Sequence, residues 1–151
     1  YRPGERGVLI AYASIYGNTA SAALRLRDML ARRGEKRVAA VDLARSDISR
    51  AVADAFRYDA LVLAAPSYDG AVLPPMAAFL SRLKAKNWQK RTAAVIENGS
   101  WAPSAGKVML AALAEMKDVA VLEPMVSIRS AVSEETATKL NELADALAAR
   151  G

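Results

Sequence analysis

Five short apolar runs, at residues 8–13, 38–43, 61–65, 92–96 and 119–128, alternate with stretches of helical periodicity along the whole chain. Apolar runs of this length fit strands buried on both faces, and strand–helix–strand alternation requires right-handed crossovers that lay helices over the sheet. The pattern predicts an α/β fold, doubly wound around a five-stranded parallel sheet with strand order 2-1-3-4-5. Pro124 falls in the last run, where it would remove a ladder donor. That strand is therefore expected at an edge, as this order has it.

The helical stretches have legible starts. The first, about residues 19–33, sets Ala23, Leu26 and Leu30 on one face and Arg25, Asp28 and Arg32 on the other. Ser46 is expected to cap a second helix reaching Phe56, and the Pro74-Pro75 pair to open a third ending near Ala85. A fourth should cover residues 104–116. The fifth should begin near Ser133, with Glu134 and Glu135 at the positive end of its dipole and Leu140, Leu143 and Leu147 on one stripe. Residues 1–7, polar and rich in Gly and Pro, read as a linker or tag remnant, and residues 8–151 as one domain.

What the chain lacks narrows its chemistry. Its 151 residues include no cysteine and no histidine, which excludes disulfides, thiolate metal sites, iron–sulfur clusters and Ser-His-Asp catalysis. Any redox or transfer chemistry must come from a cofactor or from carboxylates, and no residue is nominated as catalytic or as a metal ligand. No stretch approaches the roughly 20 apolar residues of a membrane span, and the N-terminus lacks a signal-peptide pattern, so a cytoplasmic setting without a membrane partner is expected. The formal charge is +5, but the basic residues are scattered and not interleaved with aromatics, so no nucleic-acid binding is inferred.

In an open α/β sheet, ligands bind beyond the carboxyl ends of the strands where the order reverses. After the first strand come Ser14, Ile15, Tyr16, Gly17, Asn18 and Thr19, hydroxyl and amide groups around a glycine directly ahead of a helix. Free N–H groups and the helix dipole there suit a phosphate monoester, although the same residues suit a plain turn capped by Asn18 or Thr19. The loop lacks the glycine–lysine pattern of nucleoside triphosphate sites and the triple glycine of dinucleotide sites. After the third strand come Pro66, Ser67, Tyr68, Asp69 and Gly70; after the fourth come Glu97, Asn98, Gly99, Ser100, Trp101, Ala102 and Pro103. Each of these loops pairs a glycine turn with an aromatic ring, and two rings can enclose a planar ligand. Taken singly, Tyr68 and Trp101 equally suit surface aromatics or loop anchors.

The three segments Ser-x-Tyr-Gly-Asn-Thr, Pro-Ser-Tyr-Asp-Gly and Glu-Asn-Gly-Ser-Trp-Ala-Pro together resemble the flavodoxin family, most closely the C-terminal flavodoxin-like domain of flavodiiron proteins, or A-type flavoproteins. The resemblance covers nearly the whole chain. It implies FMN as cofactor, with Ser14, Tyr16, Gly17, Asn18, Thr19 and the Ile15 N–H holding the phosphate through neutral donors. It further implies that residues 67–70 and 98–101 flank the isoalloxazine, Trp101 being the first stacking partner, Tyr68 the second, and the Asp69-Gly70 peptide the contact to flavin N5.

The implied function is electron transfer within a larger oxygen or nitric oxide reductase. Its iron pair would lie in a preceding diiron domain, or electrons would pass to a separate redox partner protein, and a head-to-tail homodimer would then be possible. The positive charge departs from simple flavodoxins, which are acidic. An alternative from the enzyme class is a stand-alone flavodoxin-fold NAD(P)H:quinone-type reductase, which would need an insertion or a dimer contact to form its pocket. A flavin-free phosphoacceptor module on the same fold would need acidic residues where Ser14 and Tyr16 stand.

Overall fold

The computed structural model describes residues 3–14, 17–68, 70–99, 104–123, 125–129 and 133–150. Its elements run β1 (Glu5–Tyr12), α1 (Asn18–Arg32), β2 (Val38–Asp42), α2 (Ile48–Arg57), β3 (Tyr58–Tyr68), β4 (Ala71–Val72), α3 (Pro74–Ala85), β5 (Thr92–Asn98), α4 (Ala105–Ala114), β6 (Ala120–Val121), β7 (Val126–Ile128) and α5 (Glu134–Ala148). The parallel sheet has the order β2-β1-β3-β5, and both β6 and β7 pair with β5 on its far side. The register is continuous through the centre: Leu9 lies beside Ala39 and Leu61, and Leu61 beside Ala93.

Period-two alternation splits the sheet's side chains between two cores. Leu9, Ala11, Leu61, Leu63 and Val95 join Val52, Phe79, Leu83 and Met109 under α2, α3 and α4. Val8, Ile10, Val62, Ala64 and Ile96 join Leu26, Leu30, Leu140 and Leu147 under α1 and α5. Burial on both faces explains why the central strands read as unbroken apolar runs. The fold is α/β and flavodoxin-like, as expected, and no helix among the described residues is long and apolar enough to cross a membrane.

The structure departs from the sequence reading in five places, the first being that β1 opens at Glu5, inside residues 1–7, which read as a linker or tag remnant. The last strand is not continuous: it forms two short pieces on β5, separated by a segment containing Pro124, which itself lies outside the described residues. Beyond the expected strands, Ser67 pairs with Val72 and Tyr68 with Ala71 in an antiparallel hairpin. The fourth helix stops at Ala114 rather than Met116. Finally, α2 is capped by Asp47 and not by Ser46, because it is the Asp47 carboxylate that accepts the Ser49 N–H at 2.9 Å.

Candidate cofactor site

Among the described elements, α1, α2, α4 and α5 follow strands of the parallel sheet and α3 follows the short hairpin strand β4 at the end of β3, so the helix starts are approached from the carboxyl edge of the sheet. The first N–H groups of a helix have no partners within it, and each such end must be satisfied from elsewhere. Four of the five ends are settled within the protein. Asp47 caps α2, and Ser133 Oγ accepts the Thr136 N–H of α5 at 3.3 Å. Pro74 and Pro75 open α3 and contribute no N–H. At α4, Ser67 Oγ accepts the N–H groups of Ser104 at 2.7 Å and Ala105 at 3.1 Å, while Glu97 Oε1 accepts that of Gly106 at 3.0 Å.

The exception is α1. Among the described residues no side chain caps it; the chain enters through Gly17 at φ +88, and the Gly17 N–H turns back to Ser14 Oγ at 3.0 Å. The hydroxyl hydrogen of Ser14 remains free to donate. Asn18 is half-buried, whereas Thr19 is 1% exposed and its Oγ1 accepts from Asn98 Nδ2 at 3.5 Å. Ile15 and Tyr16 lie outside the described residues. The open end of a 15-residue helix, lined by neutral donors, is a place for an anion held without a lysine.

The three nominated loops meet through specific bonds. Asn98, at the end of β5, reaches Thr19 in α1, and Ser67, near the end of β3, holds the start of α4. Pro66 lies beside Asn98 in the β3–β5 ladder, and the Gly99 N–H bonds to the Ile128 carbonyl at 3.1 Å. Between Tyr68 and Ala71 the chain reverses, with Gly70 at φ +74, a conformation that disfavours a Cβ. Tyr68 is 44% exposed, the one large apolar side chain among the described residues that stays on the surface. Ser104 Oγ is buried without a hydrogen-bond partner at the far side of the third loop. Asp69, Ser100 and Trp101 lie outside the described residues, so their nominated roles carry no geometry.

The sequence reading missed what fixes these loops. Ser67 was nominated for the ligand, yet its oxygen serves α4; Asn98 and Thr19 bond to each other across the site. Glu97, adjacent to a nominated segment, had no role assigned. The Asp-Gly pair ahead of Ala71 was an available hairpin signal. The bonds made by Ser67 to α4 and by Asn98 to Thr19 join residues 37 to 79 positions apart, which no local pattern encodes.

A family model described as a flavodoxin domain matches residues 9–141. No curated protein sequence matches the chain. Among solved structures, the chain resembles the rubredoxin oxygen:oxidoreductase of Desulfovibrio gigas with a TM-score of 0.91 at 19% identity, over 97% of this chain and 36% of that one. It resembles the flavodiiron protein of Giardia intestinalis with a TM-score of 0.83 at 21% identity, over 95% of this chain and again 36% of the other. Flavodoxin 2 of Bacillus cereus aligns with a TM-score of 0.80 at 25% identity, over 94% of this chain and 97% of its own. The chain thus spans about a third of the length of the two larger proteins and nearly all of the smaller one.

Proposed function

The chain belongs to the flavodoxin family, and from that premise we propose that it is an electron-transfer domain whose nominated loops hold FMN. FMN is the cofactor that membership implies, and when bound it supplies the redox chemistry, while the protein sets orientation and electrostatics. The observation that carries the reading is the unequal treatment of the helix ends. Ser67, Glu97, Asp47, Ser133 and two prolines close four of them, whereas among the described residues no side chain closes α1, which leaves its end to a phosphate in this reading.

Ser14, Asn18 and the first-turn N–H groups of α1 would hold that phosphate, with Thr19 and Asn98 bracing the loop from behind. Tyr68 would cover one side of the ring system, which accounts for a large aromatic left exposed beside a hairpin turn. The unpartnered Ser104 hydroxyl fits a polar edge of the same ligand. Trp101 as the opposing ring, with Ile15, Tyr16, Asp69 and Ser100 as further contacts, completes the proposal.

The larger context is also proposed. The match to about a third of two flavodiiron-type chains supports a module of a larger cytoplasmic flavoprotein that works with a diiron domain or a redox partner protein. The nearly complete overlap with a flavodoxin of similar length supports a second reading, a carrier acting as its own chain. Reconstituted with FMN under anaerobic conditions, the chain is expected to be reduced by dithionite and to pass electrons to ferricytochrome c. It should not be bleached by NADH or NADPH alone, and rapid bleaching would replace the carrier with a nicotinamide-dependent reductase.

A further inference from the structure

Glu97 is 5% exposed at the carboxyl end of β5, and a carboxylate so placed costs stability unless its oxygens are bonded. No cation among the described residues lies within ion-pair reach of it. Its partners are neutral and come from two different elements: Oε1 accepts the Gly106 N–H of α4 at 3.0 Å, and Oε2 accepts from Ser127 Oγ of β7 at 2.8 Å. The approach of α4 is close enough that any side chain at position 106 would force its neighbours to shift. A Cβ on Gly106 would stand 2.6 Å from Glu97 Oε1 and would also collide with Met125 Sδ.

These bonds bracket the third loop. Its leading end is tied by the Gly99 N–H to Ile128 of β7, and its trailing end by Ser67 and Glu97 to the start of α4. Among the described residues, Glu97 is the one side chain whose hydrogen bonds reach both α4 and β7, the elements that carry the loop's two tethers. We propose that Glu97 is a positioning residue for the flavin site: by fastening α4 and β7 to β5 it fixes Gly99 and Ser104, the two described residues between which the third loop departs and returns. The proposal rests on the FMN reading and concerns a residue outside the nominated contacts.

The test compares FMN affinity and the residual fluorescence of bound FMN at saturation, well below the melting temperature, in the wild type and four variants. Glu97→Ala removes both bonds, and Gly106→Ala drives a Cβ into Glu97 Oε1 and so displaces the carboxylate or α4; both should weaken FMN binding at least tenfold and leave the bound flavin less quenched. Glu97→Gln keeps an acceptor for Gly106 and a hydrogen-bond partner for Ser127, and should restore both readouts. A residue that served only global stability would move the melting temperature and leave the quenching of bound FMN unchanged. Wild-type affinity and quenching in a folded Glu97→Ala protein overturn the proposal, as does a folded Glu97→Gln that behaves like the alanine variant. If Glu97→Ala does not fold, Ser127→Ala decides through the single bond it removes: a partial loss of quenching supports the clamp and none overturns it. A wild-type chain that retains no FMN fails the cofactor reading itself, and is recognised before any variant is compared.

Discussion

Gly70 shows how one backbone angle can mark a working turn. Its φ of +74 lies where a side chain is strained, yet a Cβ built there would meet nothing within 4 Å. Gly70→Ala should therefore cost about 1 kcal/mol through the backbone alone, measured by denaturant unfolding of the apoprotein, and an unchanged midpoint would contradict the angle. Asp59 makes the opposite kind of case. Burial raises its pKa, but the Arg150 guanidinium and the Gly7 N–H outweigh burial and hold the carboxyl below its ordinary value of 3.8. A depressed folded value means that this stabilisation is complete above the unfolded value and is lost as pH falls through the folded one. Asp59→Asn should lower the melting temperature at neutral pH and flatten its decline on the acid side of pH 4. A variant with an unaltered acid limb would remove Asp59 from the account. Arg150, its partner, is separated from it by 91 residues and also reaches Glu35 at 2.8 Å, so nothing local in the sequence announces the pair.

Among the elements, the helix starts show what sequence reveals and where it stops. The proline pair fixes φ locally, and α3 begins at Pro74 as read; Ser133 likewise caps α5. At α2 two neighbouring residues compete for the cap, and the outcome depends on which one the incoming chain places in extended conformation. Asp47 holds that position, at φ −68 and ψ 115. Asp47→Ala should cost about 1 kcal/mol, and Ser46→Ala close to nothing; equal losses in thermal melts would reverse the assignment. The broken fifth strand was half legible, since Pro124 announced an edge but not an interruption. The hairpin of β3 with β4 extends a strand whose apolar run ends at Ala65, because the pairing at Ser67 and Tyr68 comes from the returning chain and not from hydrophobicity.

At the scale of the molecule, the architecture was readable because the strand and helix periods are strong and a parallel sheet leaves few topologies open. The candidate site was legible as three loops that the topology brings to one edge, and the wiring between them was not, since bonds such as Asn98 to Thr19 and Ser104 to Ser67 exist only once the strands are adjacent. The same wiring gives the proposed cofactor site its physical content, because side chains close the neighbouring helix ends while none among the described residues caps α1. The most direct test is the absorbance of the purified chain between about 300 and 600 nm after FMN is added and the excess removed, with Trp101→Ala alongside. The account predicts two retained flavin bands with quenched fluorescence, and recovered fluorescence in the variant. A wild-type chain that keeps no flavin at micromolar protein would contradict it.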